Sequence, residues 1–436
     1  MKEAYSIFWF RRDLRFNDNA GLFHALSCGK PVIPLFIFDT EILAKIENKQ
    51  DARVQFIFET LQQLNRQLIE YNSSILIKIG KPVEIIAGLI NEYTIENIFT
   101  NKDFEPYGIQ RDKYVKSLLS ENNIQFSAYL DHLIFSPDEI LKADRLPYTI
   151  YTPYSRRWKE NYEKLAVPYY DSENLLQNFA GLKFQFPELD LIGFKPNPNH
   201  ISHPVINELA IVNYGETRDF PAKDSTTRNG VHLRFGTISI RELVKLAKKT
   251  NETFLNELIW REFFMQILFH FPYVEKQSFN KKYDGIPWRN NEEEFARWCN
   301  GKTGYPMVDA GMRELNATGF MHNRVRMVTA SFLAKHLLID WRWGESYFAS
   351  KLLDFELSAN NGNWQWAAGC GCDAAPYFRV FNPSEQQRKF DPDLSYCKKW
   401  IPELLTIDYP LPVVEHVFAR NRAISVYKEH LNQFKI

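Results

Sequence analysis

No glycine-rich phosphate loop, no long apolar run, no cysteine framework and no excess of charge of either sign occurs in this 436-residue chain. Each absence removes a class of answer. The five cysteines, Cys28, Cys299, Cys370, Cys372 and Cys397, are too few and too scattered to staple a small secreted fold. Cys370 and Cys372 stand two apart, but no second Cys/His pair lies near them in sequence to complete a tetrahedral zinc site. They read as small buried residues, and no metal is expected. The charged start "MKEAYS" carries no signal-peptide pattern, which makes a reducing cytoplasm the expected setting. Nothing approaches the roughly 20 apolar residues of a membrane helix, so no membrane is expected. The 53 basic and 53 acidic residues cancel to a formal net charge of +0, so any binding of nucleic acid has to rest on a local basic patch. Aromatic residues, by contrast, make up 15% of the chain, enough to ask whether some stack on a ligand.

Length suits two domains. Over residues 1–130, the short apolar runs "YSIFWF", "PVIPLFIF", "SSILIKI", "IENIFT" and "IQFSAYL" alternate with amphipathic stretches such as "DARVQFIFETLQQLNRQLIEY". That rhythm predicts a Rossmann-like α/β domain, a five-stranded parallel sheet with helices on both faces. Its first strand-to-helix turn reads "FRRDLRFNDN", so the dinucleotide fingerprint is missing and the domain holds something other than a nicotinamide cofactor, or nothing. Arg11, Arg12 and Arg15 with Asp13 and Asp18 are equally explained as salt-bridged structure at a domain junction. Residues 131–205 pattern weakly and end in "FPELDLIGFKPNPNHISHP", which predicts an interdomain connection. From 206 to 436 helical periodicity dominates, so the second domain is expected to be all-α.

Three stretches of that helical half carry candidate chemistry. In "FLNELIWREFF", Glu257, Trp260, Arg261 and Phe264 share one helix face. They form either an ion pair of Glu257 with Arg261 beside a core tryptophan, or a pocket wall with a stacking indole and a hydrogen-bonding carboxyl. In "HNRVRMVTASF", Arg324 and Arg326 near the start of an apolar helix need anionic partners, carboxylate or phosphate, and Asp354 is one candidate. In "DSTTRNGVHLRFG", hydroxyls, an arginine and Gly230 precede a helix, as in an N-cap loop or a pyrophosphate cradle.

Taken together, "WFRRDLRFNDN", "NELIWREFF", "GKTGYPMVDAGMRELNATGFMHNRVRMVTASFLAKHLLIDWRWGE" and "NNGNWQWAAGCGCDAAPYFRVFNP" resemble the photolyase and cryptochrome flavoproteins, most of all the cyclobutane pyrimidine dimer photolyases. The resemblance runs from residue 5 to beyond residue 400. It implies FAD in the helical domain. Tyr214, Thr226, Thr227, Arg228, Asn229 and Gly230 match its phosphate and ribityl positions, and Arg326, Asp354, Glu356 and Asn360 match positions around its ring system, Asn360 facing flavin N5. It implies a lesion pocket of Glu257, Trp260, Phe264, Asn323, Arg324, Met327 and Trp366, with Arg218 and Gln386 at DNA-contacting positions. Glu257, if protonated, and Asn323 would hydrogen-bond the reacting dimer. Trp364, Trp341 and Trp288 match an electron-transfer chain from flavin to surface; without the resemblance each reads as core packing.

Within the family, Glu257 and "MHNR" differ from the Gln and paired histidines typical of photolyases acting on the 6-4 photoproduct, and Asn360 differs from the Asp of plant-type cryptochromes. The implied activity is light-dependent splitting of dimers in DNA by a monomeric enzyme, with a blue-light photoreceptor that signals to a partner as the alternative. A second, antenna chromophore is left open between a deazaflavin, a folate, a flavin and none. Relatives that bind folate carry an Asn-Glu pair where this chain has Tyr107 and Gly108. Asn363, where many relatives have Gly, has no role implied.

Overall fold

The computed structural model describes residues 3–434. They divide into two compact units, residues up to Ile140 with Lys159–Ile206 and Asn229–Leu246, and Leu141–Trp158 with Asn207–Arg228 and Ala247 onward.

In the first unit the five predicted apolar runs are five strands: β1 (Ala4–Phe10), β2 (Val32–Asp39), β3 (Leu76–Gly80), β4 (Thr94–Asn101) and β5 (Gln125–Tyr129). All neighbours are parallel and the order is β3-β2-β1-β4-β5. Every residue of β2 is buried, as expected of a central parallel strand covered on both faces. The intervening helices are α1 (Ala20–Leu26), α2 (Ala52–Gln67), α3 (Pro82–Glu92) and α4 (Pro106–Glu121). Asn19 and Asp51 cap α1 and α2, and Pro82 and Pro106 open α3 and α4, where a missing N–H costs no helical bond.

The arginine-rich turn after β1 is structural. Arg15 Nη2 donates to Asp131 (2.8 Å), and Arg241 bridges Asp131 (2.8 Å) and Asp18 (3.0 Å), with all four side chains buried. Burial alone would raise the Asp131 carboxyl; Arg15 and Arg241 hold it well below the usual carboxylate range. This charge cluster explains why residues 229–246 fold with the first unit, although they follow 206 in the chain. The compact units therefore differ from the linear partition at 130 and 205. The connection is not structureless either: α5 (Tyr151–Tyr162) lies within it.

The helix α6 (Ile240–Thr250) carries Arg241. The second unit is built on α7 (Glu252–His270), α8 (Pro306–Thr318), α9 (Asn323–Ser331), α10 (Trp341–Lys351), α11 (Leu357–Ala368), α12 (Pro383–Phe390) and α13 (His416–Asn432). Asn251, Asp340 and Asn382 cap α7, α10 and α12 through side-chain oxygens, while α9 is capped by the His322 ring, whose Nδ1 accepts from Arg324 N at 3.2 Å. A π-helical turn, Phe332–Leu337, follows α9. The core of this unit gathers Trp298, Met307, Met312, Phe332, Leu337, Trp341, Phe348 and Trp364.

Candidate active site

Residue spacing on α7 aligns Glu257, Trp260 and Phe264 along one side of the helix. The ion-pairing differs from the in-helix alternative. Glu257 Oε1 accepts from Arg218 Nη1 at 2.5 Å, and Arg261 Nε donates to Glu356 at 3.1 Å. Each acid therefore takes a partner distant in sequence. Burial pushes the Glu257 carboxyl above the usual carboxylate range, and Arg218 offsets only part of that rise.

One face of the Trp260 indole is taken by Tyr151 of α5, whose ring lies parallel at 3.7 Å with 5° between planes. Phe263 meets Trp260 edge-on at 5.5 Å and Phe264 is tilted against it at 5.4 Å. The Tyr151 hydroxyl donates to the Asn256 carbonyl at 2.9 Å, so the stacking ring is itself anchored. Tyr151, Tyr154 and Trp158 recur at helical spacing in "YTPYSRRW", and that spacing was the available signal for this element.

Beside Arg218, Asp219 accepts from Arg324 Nη2 at 2.6 Å. The Arg324 guanidinium also lies over the Phe390 ring at 4.3 Å and beside Met327 Sδ at 3.8 Å. These contacts bring Arg218, Glu257, Arg324 and Met327 into one half-buried patch with Trp260, next to α12. Gln386 sits on α12 with a buried Oε1 that has no hydrogen-bond partner. Asn323 is exposed at the first turn of α9. Trp366 is half-buried on α11, tilted against Phe381 at 6.4 Å.

A second constellation has the donors and acceptors of a bound polar ring. Arg326 Nη2 donates to Asp354 Oδ2 at 2.9 Å, while Asp354 Oδ1 is buried with no partner, an acceptor that lacks a donor. Asn360 points its amide to α10, donating to Glu345 Oε1 (2.7 Å) and the Glu345 carbonyl (3.1 Å). Burial raises the Glu345 carboxyl, and the Asn360 amide lowers it in part. Tyr214 packs edge-on against Phe254 at 5.1 Å. Thr226 and Thr227 are half-buried, next to a buried Ser225 hydroxyl without a partner, and Arg228 adopts a positive φ of 52°. Asn229 and Gly230 start the short helix Gly230–Phe235. The orphaned Ser225 and Asp354 oxygens and the half-buried hydroxyls of Thr226 and Thr227 are donors and acceptors of the kind a flavin nucleotide needs.

Of the three tryptophans matched to electron transfer, Trp364 and Trp341 are fully buried and Trp288 is half-buried. Among the described residues, each of these rings packs on other partners. Trp364 meets Phe348 edge-on at 5.0 Å and Trp298 at 6.1 Å, Arg342 lies over Trp341 at 4.7 Å, and Trp288 meets Tyr427 edge-on at 5.9 Å. Beneath Tyr427 lies Lys335, its ammonium 3.9 Å from the ring centroid and pushed down by burial to about 7. Asn363 is exposed and turns back on its own helix, donating to the Ala359 carbonyl at 2.8 Å.

In the first unit, Tyr107 donates to Asp39 at 2.5 Å, and a Cβ at Gly108 would come within 2.4 Å of the Asp103 carboxyl carbon. A side chain at position 108 would have to displace the Asp103 carboxylate. Among the described residues no helix is long and apolar enough to cross a membrane.

Two family models match the chain, DNA photolyase over residues 6–171 and the FAD binding domain of DNA photolyase over residues 254–408. A deoxyribodipyrimidine photo-lyase of Synechococcus is 34% identical over 467 residues, spanning 97% of this chain and 96% of its own. One from Escherichia coli is 34% identical over 472 residues, spanning 96% and 98%. Among solved structures, a class III photolyase from Agrobacterium tumefaciens superposes with a TM-score of 0.87 at 32% identity, covering 99% of this chain and 98% of that one. An archaeal photolyase from Sulfolobus tokodaii, described with two FAD molecules and a novel light-harvesting cofactor, gives 0.84 at 35% identity, covering 98% of this chain and all of its own.

Proposed function

The chain belongs to the DNA photolyase family and has its FAD-binding domain, and from that premise we propose that it splits cyclobutane pyrimidine dimers flipped out of DNA onto the Glu257–Trp260 face. Light-dependent DNA repair is the family's activity. When bound and reduced, FAD would supply the photoexcited electron for opening the cyclobutane ring and take it back afterwards, so the reaction would have no net redox change.

The protein's part is to hold the lesion and steer charge. A dimer leaving the helix loses its stacking, and the indoles of Trp260 and Trp366 replace it, at roughly 1–3 kcal/mol for each base–aromatic contact. Tyr151 keeps Trp260 in one orientation. Electron uptake places negative charge on the dimer's carbonyl oxygens. The Glu257 carboxyl, raised by burial, holds its proton more readily than an exposed acid and donates it in a hydrogen bond there, and the exposed Asn323 amide is a second candidate donor. The same pocket brings Arg218 toward this charge. Arg324 with Gln386 takes the flanking backbone. The Arg326–Asp354 pair would hold the ring of the cofactor, and Asn360 would adjoin it without an ionisable proton, so that it could not act as the acid that protonates a photoreceptor's flavin. Trp364, Trp341 and Trp288 are assigned to electron supply on account of the family match.

The observation that carries this reading is the meeting of a burial-raised carboxyl, a braced indole and two guanidiniums on one face of the second unit. Glu257→Gln and Glu257→Ala test it. The glutamine keeps a donor and retains most dimer splitting per absorbed photon, whereas the alanine loses about tenfold, or about 1.4 kcal/mol of charge stabilisation. Equal yields in wild type and Glu257→Ala would remove Glu257 from the chemistry.

A further inference from the structure

Arg218 and Arg324 are the cations of the lesion face, yet both are already engaged by acids. Asp219 accepts from Arg324 Nη2 at 2.6 Å and lies 4.0 Å from Arg218 Nε, while Glu257 takes Arg218 Nη1 at 2.5 Å. Asp219 therefore offsets one of the two cations of the patch, and Glu257 partners the other. Asp219 does not orient Arg324 alone, because Phe390 lies under the guanidinium plane at 4.3 Å and Met327 Sδ is 3.8 Å from Nη1. Arg324 Nε is buried with no acceptor. Its placement comes from packing, and what Asp219 adds is mainly an anion.

We propose that Asp219 is an internal competitor of the DNA backbone, occupying on Arg324 the place a phosphate takes and so limiting the affinity of the lesion face for any strand. It acts through Arg324 and is a positioning residue. The idea rests on the DNA-binding role of this face proposed above. A phosphate approaching Arg324 must displace the Asp219 carboxylate and meets its repulsion meanwhile. The chain's charge is balanced overall, so such local pairing decides how strongly undamaged DNA is held and how readily a repaired strand leaves. The pair is charge-assisted and only partly exposed, with side-chain exposures of 18% for Arg324 and 37% for Asp219. Its removal is therefore expected to raise affinity about three- to tenfold.

The test uses the full chain carrying FAD, with single-stranded oligonucleotides with and without a dimer, over a range of salt. Asp219→Asn binds the undamaged strand about three- to tenfold tighter than wild type at low salt, and its log–log salt slope steepens by about 0.7, one more phosphate neutralised. Asp219→Ala gives the same gain, and adding Arg324→Gln abolishes it. Glu385→Gln removes the same charge from the exposed pair with Arg388 on α12 and changes affinity less than twofold. Unchanged or weaker binding by both Asp219 variants, or an equal gain in Glu385→Gln, overturns the proposal while leaving the DNA reading intact. A wild-type protein with no salt-dependent binding to either strand overturns both.

Discussion

Replacing Gly362 by alanine sets two physical effects against each other at the junction of α7 and α11. Gly362 lies inside α11, where Gly→Ala gains about 1 kcal/mol of helix propensity. Against this, a Cβ at 362 would stand 2.2 Å from Phe264 Cδ1 and 2.4 Å from Cε1, and Phe264 is buried on α7. An aromatic ring flat against a helix backbone has no flexible end to move, so the helices must separate or the ring must leave its rotamer. Overpacking of that kind costs about 1–3 kcal/mol and occasionally more. The clash places Gly362→Ala at the upper end, for a net loss of about 2 kcal/mol. Asn363→Ala, one residue on, is the internal control: its side chain is exposed and only bonds back to Ala359, so it is neutral or stabilising by a few tenths of a kcal/mol. Urea unfolding of both variants, with flavin content measured alongside, reads the difference. A Gly362→Ala protein as stable as wild type would mean that Phe264 does not pack on this glycine.

Arg241→Met leaves Asp18 and Asp131 as buried acids short of a partner, and is expected to lose about 3–5 kcal/mol in denaturant unfolding, far more than an exposed arginine substitution. His322, pushed down to about 4 by burial, is neutral when folded. Below its usual value of 6.5 the unfolded chain takes up a proton that the folded chain refuses, so its contribution to stability is full above pH 6.5 and is lost as pH falls toward 4. His322→Asn keeps an N-cap acceptor for α9 without titrating, and melting curves across that window are expected to flatten relative to wild type. Tyr151→Ala uncovers the rear of Trp260 and lowers affinity for a dimer-containing strand up to about tenfold, from an aromatic pair worth about 0.5–1.5 kcal/mol, with little change for an undamaged strand. Tyr151→Phe keeps the stack and restores most of it.

What could be read in the sequence was what is local. The five strand runs are apolar because a parallel sheet buries both faces, and each shows this within a handful of residues, as the fully buried β2 does. The face of α7 was legible for the same reason. Charge pairing was not. Glu257 and Arg261 stand one turn apart, yet they take Arg218 and Glu356, 39 and 95 residues away. Arg241 finds Asp18 across 223 residues, which no periodicity reveals and which carries 229–246 into the first unit. Supporting partners were invisible likewise: spacing could mark a helix around Tyr151, but not that Tyr151 lies behind Trp260, Asp219 on Arg324 or Glu345 on Asn360. The roles of Trp364, Trp341 and Trp288 came from resemblance, and their spacing in the chain says nothing about their rings.

The most direct measurement is the loss of cyclobutane dimers from a single-stranded oligonucleotide mixed with the reduced, FAD-loaded protein, in blue light and in the dark. Restored pyrimidines are expected in light only, with the light-driven yield falling steeply in Trp260→Ala. Dimers that persist under illumination, with flavin bound and reduced, would contradict that expectation.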